Sequence, residues 1–300
     1  MGKTVVVTGA SGFIGSRLAQ ALVLAGYEVR GMTRHPERYE GAGAGVAGDV
    51  ADPDSLDSAL RGAAAAYYLV HSLGSVDFAG KDAAGARNFA AASGRAGLER
   101  VIYLGGLGAD DEQLSPHLQS RREVERILRT GPVPVTSLRA AVVVGHGSIA
   151  WEITRQLVDH LPALVTPRWV NTRTQPIALA DVIRYLVGVL EPAQARGRTY
   201  DIGGPEVLRY LDMLKRAAHV QRKLLPNVSV PLLTPRLSSA WLALVTDVDL
   251  ATARNLVDSM TTEATVRDHH AIRELIPGDP IGYDEAVRLA LAERAHAGKS

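Results

Sequence analysis

The chain has 300 residues, enough for one large domain or for a core with a smaller appended lobe. Its 46% hydrophobic residues supply a sizeable core, and a formal charge of +1 excludes a field that would gather nucleic acid or an anionic membrane. The lack of cysteine excludes disulfides, thiolate nucleophiles and thiolate metal sites, and fits a reducing cytoplasm. No secretory pattern precedes the first strand, and the apolar stretch Val228 to Leu250 is broken by Pro231, Pro235, Arg236 and Asp247, too interrupted to cross a bilayer. A soluble cytoplasmic protein is expected, without a membrane or nucleic-acid partner, and with a homodimer as an assembly the sequence allows.

Strand-like and helix-like segments alternate through the first half, as in a parallel sheet with crossover helices. Thr4–Thr8 reads as a strand, then a helix from about Phe13 to Ala25 is closed by Gly26. Glu28–Thr33 and Gly45–Ala47 read as the next strands. Asp52-Pro53 opens a helix with Asp as cap and Pro in the first turn. Ala65–Val70 is a buried strand, Ala79 to Ala96 an Ala-rich helix ending at Gly97, and Arg100–Leu104 a fifth strand. Ser115-Pro116 starts a capped helix running towards Arg129, and Thr136–Val144 is a sixth strand. The expectation is an α/β Rossmann-type doubly wound sheet over residues 1–150, with residues 151–300 as a mixed lobe packed on it. In that lobe Trp151–Leu161, Leu179–Leu190, Tyr210–Val220 and Tyr283–Ala297 read as helices and Thr199–Ile202 as a strand.

The chemistry starts at Thr8-Gly9-Ala10-Ser11-Gly12-Phe13-Ile14-Gly15, glycines spaced G-x-x-G-x-x-G between a strand and a helix. In a dinucleotide-binding turn the first glycine makes the tight turn, the second admits a pyrophosphate to the backbone, and the third brings the helix close to the sheet. The helix N-terminus then offers free N–H groups to phosphate. About 20 residues on, an NAD site places a carboxylate for the ribose 2′-hydroxyl. Here the second strand ends Met32-Thr33-Arg34-His35, and a hydroxyl with a guanidinium fork suits a 2′-phosphate instead. NADP(H) is therefore expected over NAD(H). Asp49, followed by Val50, either accepts from the adenine amino group or caps the next turn.

With this turn, the chain resembles the extended and atypical branches of the short-chain dehydrogenase/reductase family. Tyr67-Tyr68-Leu69-Val70-His71-Ser72, Val101–Gly106, Leu138-Arg139-Ala140-Ala141 through Gly145, Gln175–Val182 and Tyr200–Gly204 stand where that family has its strand blocks. More narrowly it resembles the NmrA-like NAD(P)H-binding group, whose longer bacterial members carry a further C-terminal domain that this sequence is expected to lack. The resemblance implies that Arg139 lies on a strand passing under the nicotinamide, with Val70, His71 and Ala140 near it.

Reductases of this family use Tyr-x-x-x-Lys on the helix after the fifth strand, with a Ser at that strand's end. The i, i+4 spacing puts both groups on one helix face. In this chain His117 stands at the Tyr position and Arg121 at the Lys position, and Gly105, Gly106 and Leu107 occupy the Ser region. His117 is an acid–base candidate or a residue of the first helical turn; Arg121 is a cofactor contact or a solvated cation. His71 ends the fourth strand, where α/β sheets bind ligands. Tyr67, Tyr68 and Tyr103 read as core, and Trp151, Trp169 and Trp241 as interface or core packing residues in preference to the lining of an apolar substrate pocket. His269-His270 lacks carboxylates at ligand spacing, so no metal site is expected.

The implied activity is an NADP(H)-dependent oxidoreductase acting on a small apolar carbonyl-type substrate. A redox sensor that holds NADP(H) without turnover is the alternative, and an NAD-dependent epimerase or dehydratase a second one. The missing Tyr/Lys pair favours the sensor, and fold alone does not decide.

Overall fold

The computed structural model describes residues 2–72, 75, 77–108, 114–160, 164–166, 168–229, 246–247, 249–268 and 270–298. Seven parallel strands form the central sheet: β1 (Thr4–Thr8), β2 (Glu28–Thr33), β3 (Ala44–Ala47), β4 (Ala65–Tyr68), β5 (Arg100–Gly106), β6 (Val135–Ala140) and β11 (Thr199–Ile202). Their spatial order is β11-β6-β5-β4-β1-β2-β3, with every pairing parallel. The order reverses between β1 and β4, so the chain leaves these neighbours in opposite directions and opens a crevice at their C-terminal ends.

The strands are apolar on both faces, and successive side chains sort by the period of two. Val5, Val7, Tyr67, Ile102 and Leu138 pack under α1 (Phe13–Leu24) and α6 (Leu179–Gly188). Val6, Ala66, Tyr68, Val101, Tyr103 and Val135 pack under α2 (Pro53–Leu60), α3 (Phe78–Arg95) and α4 (Pro116–Arg129). The tyrosines are core as expected: Tyr67 donates to the Leu186 carbonyl at 2.8 Å and Tyr103 to the Arg121 carbonyl at 3.0 Å.

Local signals set the helix ends. Asp52 caps α2 through the Asp54 N–H, with Pro53 in the first turn, and Ser115 caps α4 through the Leu118 N–H. Gly26 (φ +88°) follows the cap of α1 in the left-handed conformation. The sixth strand differs from expectation. Thr136–Val144 reads as one β-branched run, but the sheet takes only β6, and Val143–Val144 forms a separate strand, β7, paired with β10 (Ile177–Ala178). Leu107 N–H bonds the Ala140 carbonyl at that break, where the chain turns out of the sheet.

A further core lies between α5 (Ile149–His160), α7 (Tyr210–Val220), α8 (Leu250–Ser259) and α10 (Tyr283–Ala297), with Trp151 inside it. The remaining elements are the short strands β8 (Leu164–Thr166), β9 (Arg173–Thr174), β12 (Leu208–Arg209) and β13 (Asn227–Ser229), and helix α9 (His270–Leu275). Two polar residues from the Gln175–Val182 block hold this part together. Buried Gln175 donates to the Gly204 carbonyl and accepts from the Val266 N–H, and buried Asp181 accepts from the Ile281 N–H at 2.7 Å. Trp241 and His269 lie outside the described residues, as does the Trp169 side chain. Among the described residues no helix is long and apolar enough to cross a membrane, and no His/Cys/Asp/Glu group could hold a metal ion.

Candidate functional site

The glycine turn is built by close backbone contact. Gly9 is left-handed (φ +65°), a conformation that L side chains disfavour. A Cβ on Gly15 would sit 2.2 Å from the Gly9 carbonyl oxygen, so only glycine lets α1 start this close to the turn. The third glycine therefore packs the helix against the turn itself. No side chain caps α1 at Gly12, which leaves its first N–H groups facing the crevice. Thr8 Oγ1 accepts from the Leu69 N–H at 3.0 Å and clamps the end of β1 to the end of β4.

A cleft of about 610 Å³ opens there, lined by Gly9, Ser11, Thr33, Arg34, Asp49, Val50, Val70 and His71. Arg34 is exposed on its rim, and among the described residues no carboxylate lies within 4 Å of its guanidinium. Asp49 caps the next turn, its Oδ1 accepting from the Ala51 N–H at 2.9 Å, and the residue lines the cleft. Ala10 is buried beneath the turn.

A second cavity, of about 280 Å³, lies beyond His71. Phe13, Ile14, His71, His117, Arg121 and Ala140 line it from the sheet half, and Ile149, Tyr210, Leu256, Ser259, Met260 and Ala264 from the other. Among the described residues His71 alone borders both spaces. The structure thus brings the three candidates His71, His117 and Arg121 into one cavity. The wall supplied by Tyr210, Leu256, Ser259 and Met260 carries no sequence signal, because nothing in the spacing of these residues marks them.

The electrostatics of the three are linked. His117 has its pKa lowered to about 3, first by burial, then by the Arg121 charge and by His71. His71 is lowered to about 4, first by desolvation against the surrounding protein and then by the Arg121 charge. Both rings are therefore neutral at pH 7. Arg121 has no carboxylate within 4 Å among the described residues. Beneath them, the buried Asp82 of α3 accepts from the Ser72 N–H at 2.7 Å and from the Ser120 hydroxyl at 3.4 Å, bracing the His71 loop against α4.

Arg139 lies on β6, the strand the resemblance gives it, and its side chain turns to α4. Its guanidinium grips Glu125 of α4 through two bonds, at 2.9 and 3.1 Å, on the side of the sheet that faces α4. Because Glu125 is almost wholly buried, it needs that cation, and the pair is structural.

Comparison with known proteins agrees with this fold. A triphenylmethane reductase from Citrobacter sp. superposes with a TM-score of 0.79 at 18% identity, over 96% of this chain and 99% of that one. An NADPH-dependent quinone oxidoreductase from Escherichia coli gives 0.75 at 20% identity, over 95% and 98%. At these identities the likeness is one of fold. In sequence, the chain is 28% identical to a ceramide reductase of Caulobacter vibrioides over 187 residues, 59% of this chain and 57% of that protein. The chain thus spans little more than half the length of that relative. Residues 9–161, half of the chain, match the model of the NAD(P)H-binding family, and the chain belongs to that family.

Proposed function

We propose that the protein is an NADP(H)-dependent oxidoreductase that acts on a small, apolar, carbonyl-type substrate. The observation that carries this reading is the meeting, at His71, of the glycine-turn cleft with a separate apolar cavity. The cleft suits the adenosine half of a dinucleotide, and the cavity, lined by Ile14 and Ala140, suits the nicotinamide end with a small molecule beside it.

The residues fit the cofactor. The uncapped N–H groups of α1, with Gly9 to Gly15 around them, would hold the pyrophosphate, and Thr33 with Arg34 the 2′-phosphate. Asp49 and Val50 would border the adenine, and Val70, His71 and Ala140 the nicotinamide end. Bound there, NADPH supplies the hydride. The protein's share is to orient the substrate and polarise its carbonyl. A neutral His117 does so as an N–H donor, like a neutral imidazole in other enzymes that polarise a carbonyl, and not as an imidazolium acid. Arg121, one turn along α4, adds a positive charge on the same face. Residues 151–300 act as the substrate lobe, since Tyr210, Leu256 and Met260 close the cavity.

The test is NADPH oxidation against a panel of apolar ketones, enones and imines, in the parent protein and in His117→Ala. Turnover lost in the variant while NADPH still binds supports the role; full activity in the variant removes it. NADPH binding without turnover of any compound, with partner association that follows the redox ratio, would move the assignment to a sensor.

A further inference from the structure

Residues 34–43 join β2 to β3, and Arg34 stands at their start, on the rim of the glycine-turn cleft. The charged side chains of this segment do little to order it. Arg34, His35, Glu37, Arg38 and Glu40 are exposed, and the contacts of Glu37 with His35 at 3.4 Å and Arg38 at 3.8 Å are open to water, which leaves such pairs little hold. Tyr39 behaves differently. Its ring packs with Ala42 against the core beneath α1, and its hydroxyl donates to the Ala42 carbonyl at 2.9 Å.

The ring lies in a berth made by missing side chains. A Cβ on Gly31 of β2 would stand 2.5 Å from the phenolic oxygen, one on Gly41 2.5 Å from Cζ, and one on Gly45 of β3 3.0 Å from the Tyr39 Cβ. The ring has this place because the three positions are glycines. By the period of two, Gly31 shares a face of β2 with Val29, which is in the same core, and with Thr33. From Thr33 the chain is bonded step by step to the tyrosine. The His35 N–H meets Thr33 Oγ1 at 3.3 Å, the Arg38 N–H the His35 carbonyl at 3.0 Å, and the Tyr39 N–H the Pro36 carbonyl at 3.2 Å. The stretch that carries Arg34 is thus fixed at one end by β2 and at the other by the ring.

We propose that Tyr39 is a positioning residue for cofactor choice: seated on Gly31, Gly41 and Gly45, its ring holds the Arg34 segment against β2, and so keeps the guanidinium where the 2′-phosphate is received. Tyr39 is not among the residues that line the cleft, so it acts through Arg34 and not by touching the cofactor. An arginine on a free loop loses backbone and side-chain freedom when it meets a phosphate, and a segment already fixed loses less. The proposal rests on the NADP(H) reading of the cleft and names what makes its arginine selective.

The test is equilibrium titration of NADPH and NADH against the parent, Tyr39→Phe, Tyr39→Ala and Gly41→Ala. NADH lacks the 2′-phosphate and reports the rest of the cleft, so a general loss of structure weakens both cofactors alike. The preference for NADPH should stay within about twofold of the parent's in Tyr39→Phe, which keeps the ring, and should fall about threefold or more in Tyr39→Ala, with NADH affinity within about twofold of the parent's. Gly41→Ala leaves Tyr39 and Arg34 in the chain and unseats the ring, and it should give the same fall. The double variant Tyr39→Ala/Gly41→Ala should be no worse than Tyr39→Ala, since the added methyl group then has no ring to displace. An unchanged preference in Tyr39→Ala or in Gly41→Ala, or an equal weakening of NADPH and NADH, overturns the proposal. Should Tyr39→Ala not fold, Gly41→Ala, at an exposed position, decides by the same criterion. A parent that binds NADH as well as NADPH removes the cofactor reading and the proposal with it, and that failure is seen before any substitution is made.

Discussion

Asp82 on α3 accepts a hydrogen bond from the backbone N–H of Ser72 at 2.7 Å, and its other oxygen faces the Ser120 hydroxyl. A carboxylate only 7% exposed thus ties the loop that carries His71 to the helix that carries His117 and Arg121. Asp82→Ala should cost about 1–3 kcal/mol, because the Ser72 N–H is left without its acceptor. Asp82→Asn, which keeps a carbonyl oxygen for that N–H, should cost less. Urea denaturation of both variants checks the order, and equal losses would show that the Ser72 bond does not matter.

The glycines make a graded prediction. Gly26 is left-handed, and a β-carbon placed on it would meet no atom within 4 Å, so Gly26→Ala carries only backbone strain, about 1 kcal/mol. Gly15→Ala would drive a methyl group to 2.2 Å from the Gly9 carbonyl oxygen, and α1 or the turn must move. We expect it to cost about 3 kcal/mol or more and to abolish cofactor binding. Thermal melts with and without NADPH separate the two: NADPH should still raise the midpoint of Gly26→Ala and not that of Gly15→Ala.

The histidines make stability depend on pH. His117 titrates near 6.5 when unfolded and near 3 in the native protein, so between those values the unfolded chain binds a proton that the native state refuses. The stability it contributes is complete above about pH 6.5 and is lost as the pH falls towards the native value. From about pH 7 to about pH 5 that single ring should account for about 2 kcal/mol, less whatever the partly open cavity screens. His117→Gln should flatten the profile over this interval in chemical denaturation. Profiles that run parallel for parent and variant would contradict the burial of a neutral ring.

Glu125 tests the structural role of Arg139. Removing the carboxylate from a buried, two-bond pair takes away the charge that the guanidinium grips, so Glu125→Gln should lose about 3 kcal/mol of stability. If Arg139 serves the sheet–helix packing alone, the fraction that folds should bind NADPH as the parent does. A cofactor affinity that falls with unchanged stability would return Arg139 to the site.

Much of this arrangement is legible in the sequence where the cause is local. Asp52-Pro53, Ser115-Pro116 and Gly26 mark helix ends because caps and left-handed turns act within a few residues. The G-x-x-G-x-x-G turn is legible for the same reason. The separation of β6 from β7 is not, since Ala141 and Val142 continue a β-forming run and the departure is set by pairing with β10, more than thirty residues on. The resemblance gives Arg139 its strand but not its partner, because strand register decides which face it occupies, and Glu125 is the partner on that face. The cavity wall of Tyr210, Leu256 and Met260 is brought to His117 only by tertiary packing, and the depressed pKa of His117 follows from that burial. The sequence names the ring; the fold decides that it is neutral.

The central claim is that Thr33 and Arg34 select the 2′-phosphate at the edge of the glycine-turn cleft. Equilibrium titration of NADPH and NADH against the parent protein and Arg34→Ala tests it most directly. NADPH should bind the parent about tenfold or more tightly than NADH, and Arg34→Ala should bring the two within about threefold. Equal or tighter binding of NADH by the parent, or an undiminished NADPH preference in Arg34→Ala, would contradict it.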